Sequence, residues 1–149
     1  MLIRLLPAQL VKIWDMIRFA IAETFIPRSA CTASHLQYIL KQLLCGKMDC
    51  WIAFDGTTKE DRKFTGFVTT RIGIDGPTGE KILWIDSVYA YQSVHFELMA
   101  RVMGTLEAYA VKQDCKTIIA MTDTDRIATL AEKNGFVKRF QMIKEINHG

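Results

Sequence analysis

Hydrophobic positions near the start of the chain follow a helical period. After a short apolar opening from Leu2 to Leu6, Pro7 suits the first turn of a helix, where its missing N–H is not needed. Apolar residues then recur every three or four positions from Leu10 to Ile21. The pattern predicts an opening strand and one amphipathic helix that is closed by Pro27.

A second helical pattern follows at once. Ser34 is a good N-cap, and a continuous apolar stripe runs from Leu36 to Leu44. Gly46 directly after the stripe is typical of a helix C-terminus, since glycine takes the left-handed backbone conformation there without strain. Two helices are therefore expected before the chain forms most of its sheet.

The period then changes to that of β-strands. Three runs rich in β-branched and aromatic residues are separated by polar, turn-forming segments. The segment 75–79, Asp-Gly-Pro-Thr-Gly, favours a tight turn between the second and third runs. The runs predict an antiparallel meander of strands over Cys50–Phe54, Phe64–Ile74 and Lys81–Tyr89.

The last third returns to helical spacing in two places. A strand, a long helix and another strand in succession make a crossover, so the two strands should be parallel and the connection right-handed. The elements expected in this part are a helix at Ser93–Lys112, a strand at Thr117–Met121, a helix at Asp125–Asn134 and a closing strand at Phe136–Ile146. Together with the first half they predict one α/β (α+β) domain over residues 1–149, a mixed sheet with helices on both faces.

Composition narrows the possible functions only a little. The chain has 149 residues, half of them hydrophobic, and a net charge of +3 made up of both signs. The N-terminus lacks the features of a secretory signal peptide and no apolar run is long enough to span a bilayer, so we expect a cytoplasmic protein without membrane contact. A nucleic-acid partner is disfavoured, because the only local basic cluster consists of Lys133, Lys138, Arg139 and Lys144.

Metal chemistry has little support in the sequence. The four cysteines contain no C-x-x-C pair, and none of the three histidines lies at ligand spacing from a cysteine. Asp123 and Asp125 stand just before a predicted helix, so we interpret them as N-capping residues and not as a metal pair. The sequence predicts no metal site and free cysteines that pack as small apolar side chains.

One segment resembles a known family. Residues 127–136 read Ile-Ala-Thr-Leu-Ala-Glu-Lys-Asn-Gly-Phe, similar to the Ala-x-x-Leu-Tyr-Glu-Lys-x-Gly-Phe segment of the GCN5-related N-acetyltransferases. The predicted order of elements is also that of the family, so the resemblance covers nearly the whole chain. It implies an acetyltransferase-like fold whose crossover half, from Lys81 to Phe136, would hold acetyl-CoA.

The same comparison shows two departures. The family holds the pyrophosphate of the cofactor in a loop of the type Arg/Gln-x-x-Gly-x-Gly/Ala, whereas residues 87–97 here contain no glycine. Glu97 would also oppose a phosphate at the helix N-terminus. The family's proton-donating tyrosine corresponds to Ala131, which cannot donate a proton.

Several residues remain candidates for chemistry. Asp86 lies where the family often places a general base, and a half-buried carboxylate there would have a raised pKa, although it could instead pair with a nearby arginine. Tyr89 and Tyr91 are weaker catalytic candidates, since aromatic residues at a sheet edge are more often packing or contact residues. The resemblance implies candidate cofactor contacts at Val88, Ser93, Val94, His95 and Phe96.

Two functions follow from this comparison. The departures favour a non-catalytic member of the fold that binds no cofactor and acts through protein contacts, similar in style to acetyltransferase-like virion and internal-virion proteins of bacteriophages. Its partners would be other subunits of a larger assembly, with Tyr89, Tyr91 and Phe96 as contact candidates. The alternative is an active acyl-CoA-dependent N-acetyltransferase with an atypical pyrophosphate loop, which requires an open gap between the strands Lys81–Tyr89 and Thr117–Met121.

Overall fold

A single five-stranded sheet organises the protein. In the computed structural model, which describes residues 1–25 and 31–149, the strands lie in the order β1-β2-β3-β4-β5. The first four pair antiparallel, and β4 and β5 pair parallel. This confirms the predicted mixed sheet, an antiparallel meander followed by a parallel crossover. The strands are β1 Leu2–Arg4, β2 Asp49–Asp55, β3 Lys63–Ile74, β4 Lys81–Ala90 and β5 Cys115–Ala120.

Five helices of the described ranges cover the two faces of this sheet. None of the helices in the described ranges is both long and apolar enough to cross a lipid bilayer. Helix α4, the crossover between β4 and β5, packs on one face, and α1 to α3 pack on the other. The helices are α1 Pro7–Lys12, α2 Trp14–Thr24, α3 Ala33–Leu44, α4 Phe96–Lys112 and α5 Asp125–Lys133.

Two hydrophobic cores, one on each face, hold these layers together. On the α4 face, Leu83 and Leu106 are fully buried among residues of β1 to β4. On the opposite face, Ile17 and Phe67 are buried between α1, α2, α3 and the sheet. Burying a side chain of this size contributes about 1.5–3 kcal/mol to the free energy of unfolding. Both cores therefore stabilise the sheet.

The first helical stretch differs from the prediction in two details. The expected single helix is split at Ile13, whose backbone (φ −120°, ψ 16°) leaves the helical region, and this divides α1 from α2. The predicted cap Ser34 lies inside α3, because Thr32 caps this helix by accepting the His35 N–H on its hydroxyl. The predicted helix end at Pro27 lies outside the described residues.

Two further boundaries shift in the crossover. Helix α4 begins at Phe96 and not at Ser93, because the His95 side chain caps it by accepting the Leu98 N–H at 3.2 Å. Strand β5 begins at Cys115, two residues earlier than predicted, directly after Asp114 turns the chain with a positive φ of 58°. Both shifts depend on single-residue backbone geometry that hydrophobic periodicity does not report.

The predicted closing strand Phe136–Ile146 is wrong. Residues after Gly135 form no strand, and Phe136 itself ends the α5 region by donating its N–H to Ala131 O at 3.1 Å. Phe136 packs on the α4-face core, but Phe140 and Met142 beyond it are 91% and 97% exposed. The segment has several apolar residues, but without a neighbouring strand it does not form a ladder.

Removal of residues 137–149 is expected to lower the melting temperature by no more than about 4 °C, because these side chains bury little surface. Calorimetry of the truncated and full chains measures the difference. A loss of cooperative unfolding in the truncated chain would show that this segment is part of the core.

Gly66 in β3 allows a close approach of β4. A Cβ at this position would lie 2.0 Å from Tyr89 O, whereas a Cβ at Gly104 in α4 meets nothing within 4 Å. Gly66→Ala should therefore destabilise the fold by about 1–3 kcal/mol, and Gly104→Ala should stabilise it by about 0.5–1 kcal/mol. Urea denaturation of both variants tests the pair, and equal effects at the two glycines would refute the close approach.

Candidate functional site

A β-bulge in β4 puts two polar residues side by side on one face of the sheet. Thr70 pairs with Ile85 and Thr69 pairs with Ser87, so Asp86 is an extra residue with no partner on β3. Side chains normally alternate between faces, but a bulge adds one residue and breaks the alternation. Both Asp86 and Ser87 therefore line the space on the α2–α3 side of the sheet.

Arg71 holds the Asp86 carboxylate. Its Nε lies 3.1 Å from each carboxylate oxygen and is aligned to donate to Oδ1. The other oxygen, Oδ2, is closed to solvent and has no aligned donor in the part of the chain that the structure describes. Burial raises the pKa of Asp86 above its ordinary value of 3.8, and the Arg71 charge and hydrogen bond offset part of that rise.

A cavity of about 520 Å³ opens over this carboxylate. Its size is that of sites that bind small organic molecules. The floor comes from β3 and β4 and the walls come from α2, α3 and the segments that follow α3 and β5. The lining residues are Ile21, Phe25, His35, Tyr38, Ile39, Gln42, Lys47, Met48, Thr69, Arg71, Asp86, Ser87 and Met121.

The Thr69 hydroxyl on the cavity floor has no hydrogen-bond partner in the described ranges, although the residue is only 1% exposed. A buried hydroxyl that lacks a partner costs about 1–3 kcal/mol. Since Thr69 lines the cavity, a polar group bound there would supply the missing partner.

Strands β4 and β5 separate at the bulge. Their parallel pairing ends at Ile85 and Ala120, so residues 86–90 have no strand partner on that side. Tyr91 N–H donates to Thr65 O on β3, and by the antiparallel alternation the N–H and C=O groups of Val88 and Ala90 face away from β3. These backbone groups face the space between β4 and β5, where an active acetyltransferase requires a gap. Met121, the first residue after β5, lines the cavity, so the cavity and the gap adjoin.

The N-terminus of α4 retains two unused donors. The His95 side chain occupies the Leu98 N–H, and the N–H groups of Phe96 and Glu97 have no partner within residues 1–25 and 31–149. The Glu97 side chain is 87% exposed. This helix end can therefore receive an anion even though the loop before it lacks glycine.

His95 is held by an acidic residue at the end of β2. Asp55 accepts from His95 Nε2 at 3.0 Å and from Arg101 Nη2 at 3.0 Å. The His95 bond, followed by the Gly56 N–H, holds the pKa of the Asp55 carboxyl below its ordinary value. With Nδ1 accepting the Leu98 N–H, His95 links this surface ion pair to the cap of α4.

The two tyrosine candidates lie together at the end of β4. Their rings meet edge to face with centroids 4.7 Å apart, and Tyr89 also stacks on Phe67 in the α1–α3 core. The Tyr91 hydroxyl donates to Met16 O at 3.1 Å, and burial raises the pKa of this phenol. Neither tyrosine lines the cavity over Asp86.

The remaining candidates lie elsewhere. Thr124, not an aspartate, occupies the N-cap of α5; Asp123 accepts from the Thr124 hydroxyl, and Asp125 is already helical. The predicted capping role of these two aspartates is therefore wrong. No cluster of metal-ligating side chains occurs among the described residues. Ala131 lies on α5 and is half-buried.

Sequence reasoning found Asp86 but missed its neighbours. Arg71 and Thr69 look like ordinary positions in a β-strand, and their roles follow from the register that sets them opposite the bulge. The available signal is a carboxylate inside the mostly apolar stretch from Leu83 to Val88.

Comparison with known proteins identifies the fold. No protein-family model and no curated protein matches the sequence. Solved acetyltransferase structures match over the whole chain. One, a predicted acetyltransferase with acetyl-CoA from Clostridium acetobutylicum, has a TM-score of 0.71 at 12% identity, covering 100% of this chain and 99% of that one.

Two aminoglycoside acetyltransferases are also similar. AAC(6')-Iy in complex with the bisubstrate analog CoA-S-monomethyl-acetylneamine has a TM-score of 0.70 at 10% identity, with 100% and 98% of the two chains covered. The enzyme meta-AAC0020 from an uncultured soil metagenomic sample, in complex with sisomicin, has a TM-score of 0.64 at 12% identity, with 99% and 94% covered. The chain therefore has the fold of the GCN5-related N-acetyltransferases, as its sequence motifs indicate.

These similarities correct the main functional prediction. The expectation of a non-catalytic pseudoenzyme in a bacteriophage virion or assembly is contradicted, because the similar solved structures include acetyltransferases in complex with a bisubstrate analog, with sisomicin and with acetyl-CoA. That expectation rests on the glycine-free loop and on Ala131. The end of β4–β5 pairing at the bulge favours the alternative instead.

Arg71→Gln is expected to raise the pKa of Asp86 further, because the guanidinium offsets the effect of burial. A folded-state pKa above the ordinary value means that stability is lost as the pH rises through it, so this loss should grow in the variant. Carbon-detected NMR titration of the Asp86 carboxyl, assigned with Asp86→Asn, measures the shift. An unchanged or lower pKa would contradict the proposed role of Arg71.

Proposed function

We propose that the protein is an acyl-CoA-dependent N-acetyltransferase in which Asp86 is the general base for the acceptor amine. The observation that carries the proposal is the bulge, since β4–β5 pairing ends there and it puts a half-buried carboxylate into the adjoining cavity. The acetyltransferases that share the fold support the same reaction class.

The donor side of the site fits an extended thioester. The N–H and C=O groups of Val88 and Ala90, directed away from β3, can pair with the amides of a pantetheine arm as a neighbouring strand would. The free N–H groups of Phe96 and Glu97 are the groups that would meet the pyrophosphate at the end of α4. Acetyl-CoA would supply the activated acetyl group.

The acceptor side fits an amine. The amine nitrogen attacks the thioester carbonyl, a C–N bond forms and the C–S bond breaks. Asp86 takes the proton that the ammonium must lose before it attacks, a task for which its raised pKa makes it a better base than an ordinary aspartate, and the second proton that the nitrogen releases as the amide forms goes to solvent. Thr69 can accept a hydrogen bond from the incoming amine through its unpaired hydroxyl.

The absence of a tyrosine at Ala131 does not prevent this reaction. A thiol has an ordinary pKa of about 8.5, so the departing thiolate is a fairly stable anion near neutral pH and takes its proton from solvent. A general acid would accelerate the step but is not required. Alanine in place of the family's tyrosine therefore removes an aid to catalysis. It leaves Asp86 and the space between β4 and β5 unchanged.

Asp86→Asn should lower kcat/KM for acetyl transfer by about 100-fold or more, the usual contribution of a general base, and leave acetyl-CoA binding unchanged. Asp49→Asn is the matched control, because Asp49 accepts from the Tyr109 hydroxyl at 2.8 Å and does not line the cavity. Thiol-release kinetics measure the rate and calorimetric titration measures the binding.

Two results would refute the proposal. One is a folded wild-type protein that gives no heat with acetyl-CoA at millimolar concentration. The other is an Asp86→Asn variant that transfers acetyl groups as fast as the wild type and the Asp49→Asn control.

A further inference from the structure

One face of α3 lines the cavity over about two helical turns. His35, Tyr38, Ile39 and Gln42 line it at the spacing of neighbouring positions on a helix surface. His35 and Gln42 are seven positions apart, which corresponds to about 10 Å along the helix axis. The wall is therefore about as long as three residues of extended peptide, at about 3.3–3.6 Å each.

Hydrogen-bond donors dominate the polar part of this wall. His35 Nδ1 accepts the Thr32 N–H at 3.1 Å, so the ring carries its proton on Nε2 and can donate from there. Gln42 adds an amide, and Lys47, just beyond α3, adds an ammonium group. None of these three makes a salt bridge in the described part of the chain.

Charge in the cavity argues against a polycation. Among its described lining residues the only carboxylate is Asp86, which is already paired with Arg71. Lys47 then leaves an uncompensated positive charge at the wall. A polycationic acceptor, such as the sisomicin bound to the similar soil enzyme, would meet repulsion there, whereas an anionic group would be attracted.

The cavity also offers a substantial apolar surface between these polar groups. Phe25 stacks on the His35 ring at 5.4 Å, and other apolar side chains line the cavity on both sides of the carboxylate. These side chains can cover an apolar residue of a bound molecule. The additional apolar residues of the lining are Ile21, Ile39, Met48 and Met121.

We infer that the acceptor is a short peptide of two or three residues, with a free amine at Asp86, an apolar side chain in the middle and a free carboxylate toward Lys47. This inference rests on the proposed function and names the substrate class of the same site. The buried Thr69 hydroxyl beside Asp86 marks the amine end, and the donors along α3 mark the carboxylate end.

A matched pair of substrates tests the inference. The tripeptide Ala-Leu-Ala and its C-terminal amide differ only in the terminal carboxylate, so the ratio of their kcat/KM values isolates its recognition. We expect the free acid to be preferred at least about tenfold, as a charge-assisted hydrogen bond gives. Lys47→Gln should reduce the ratio to below about 3, while Lys41→Gln, in the last turn of α3 and outside the cavity lining, should retain it.

The outcomes separate this inference from the proposed function. Equal rates for acid and amide, or faster acetylation of sisomicin than of the free acid, would overturn the peptide assignment and leave the acetyltransferase proposal standing. If no acceptor is acetylated, calorimetric titration with the two peptides alone still tests whether the cavity binds a peptide carboxylate. Tighter binding of the acid that is lost in Lys47→Gln supports the assignment, and equal or absent binding overturns it.

Discussion

The extra residue in β4 is the constraint on which the rest of the site depends. Without Asp86 as a bulge, the side chains of β4 would alternate without interruption and Ser87 would share the α4 face with Ile85. The same irregularity coincides with the end of β4–β5 pairing at Ile85 and Ala120. One local backbone feature thus accompanies both the end of β4–β5 pairing and the polar floor of the cavity.

Burial and the neighbouring Arg71 charge together set the basicity of the Asp86 carboxylate. Burial disfavours the ionised carboxylate and raises the pKa of Asp86, and the Arg71 charge offsets part of that rise. Arg71 itself lies over the Trp84 ring at 4.8 Å, which fixes the guanidinium beside the carboxylate. The departures from the family pattern, a glycine-free loop and Ala131, affect neither group.

Much of the fold could be predicted from the sequence, because the periods of hydrophobic residues change clearly between helices and strands. The elements that carry the gap, β4, α4 and β5, were all expected within a few residues of their observed bounds. The split at Ile13 and the missing strand after Gly135 could not be foreseen, because both depend on backbone geometry or on a partner strand and not on local pattern. The site was less accessible to prediction: Asp86 was visible as a carboxylate in an apolar strand, but Arg71 and Thr69 gain their roles only through the register of β3 against the bulge.

The most direct test of this account is amide hydrogen exchange at Val88 and Ala90, measured by NMR with and without acetyl-CoA. Both N–H groups face the gap, so we expect their exchange to slow at least about tenfold when the donor binds, while the Tyr91 N–H, already bonded to Thr65 O, changes little. Unchanged exchange at Val88 and Ala90 in a protein saturated with acetyl-CoA would show that the gap is not the donor site.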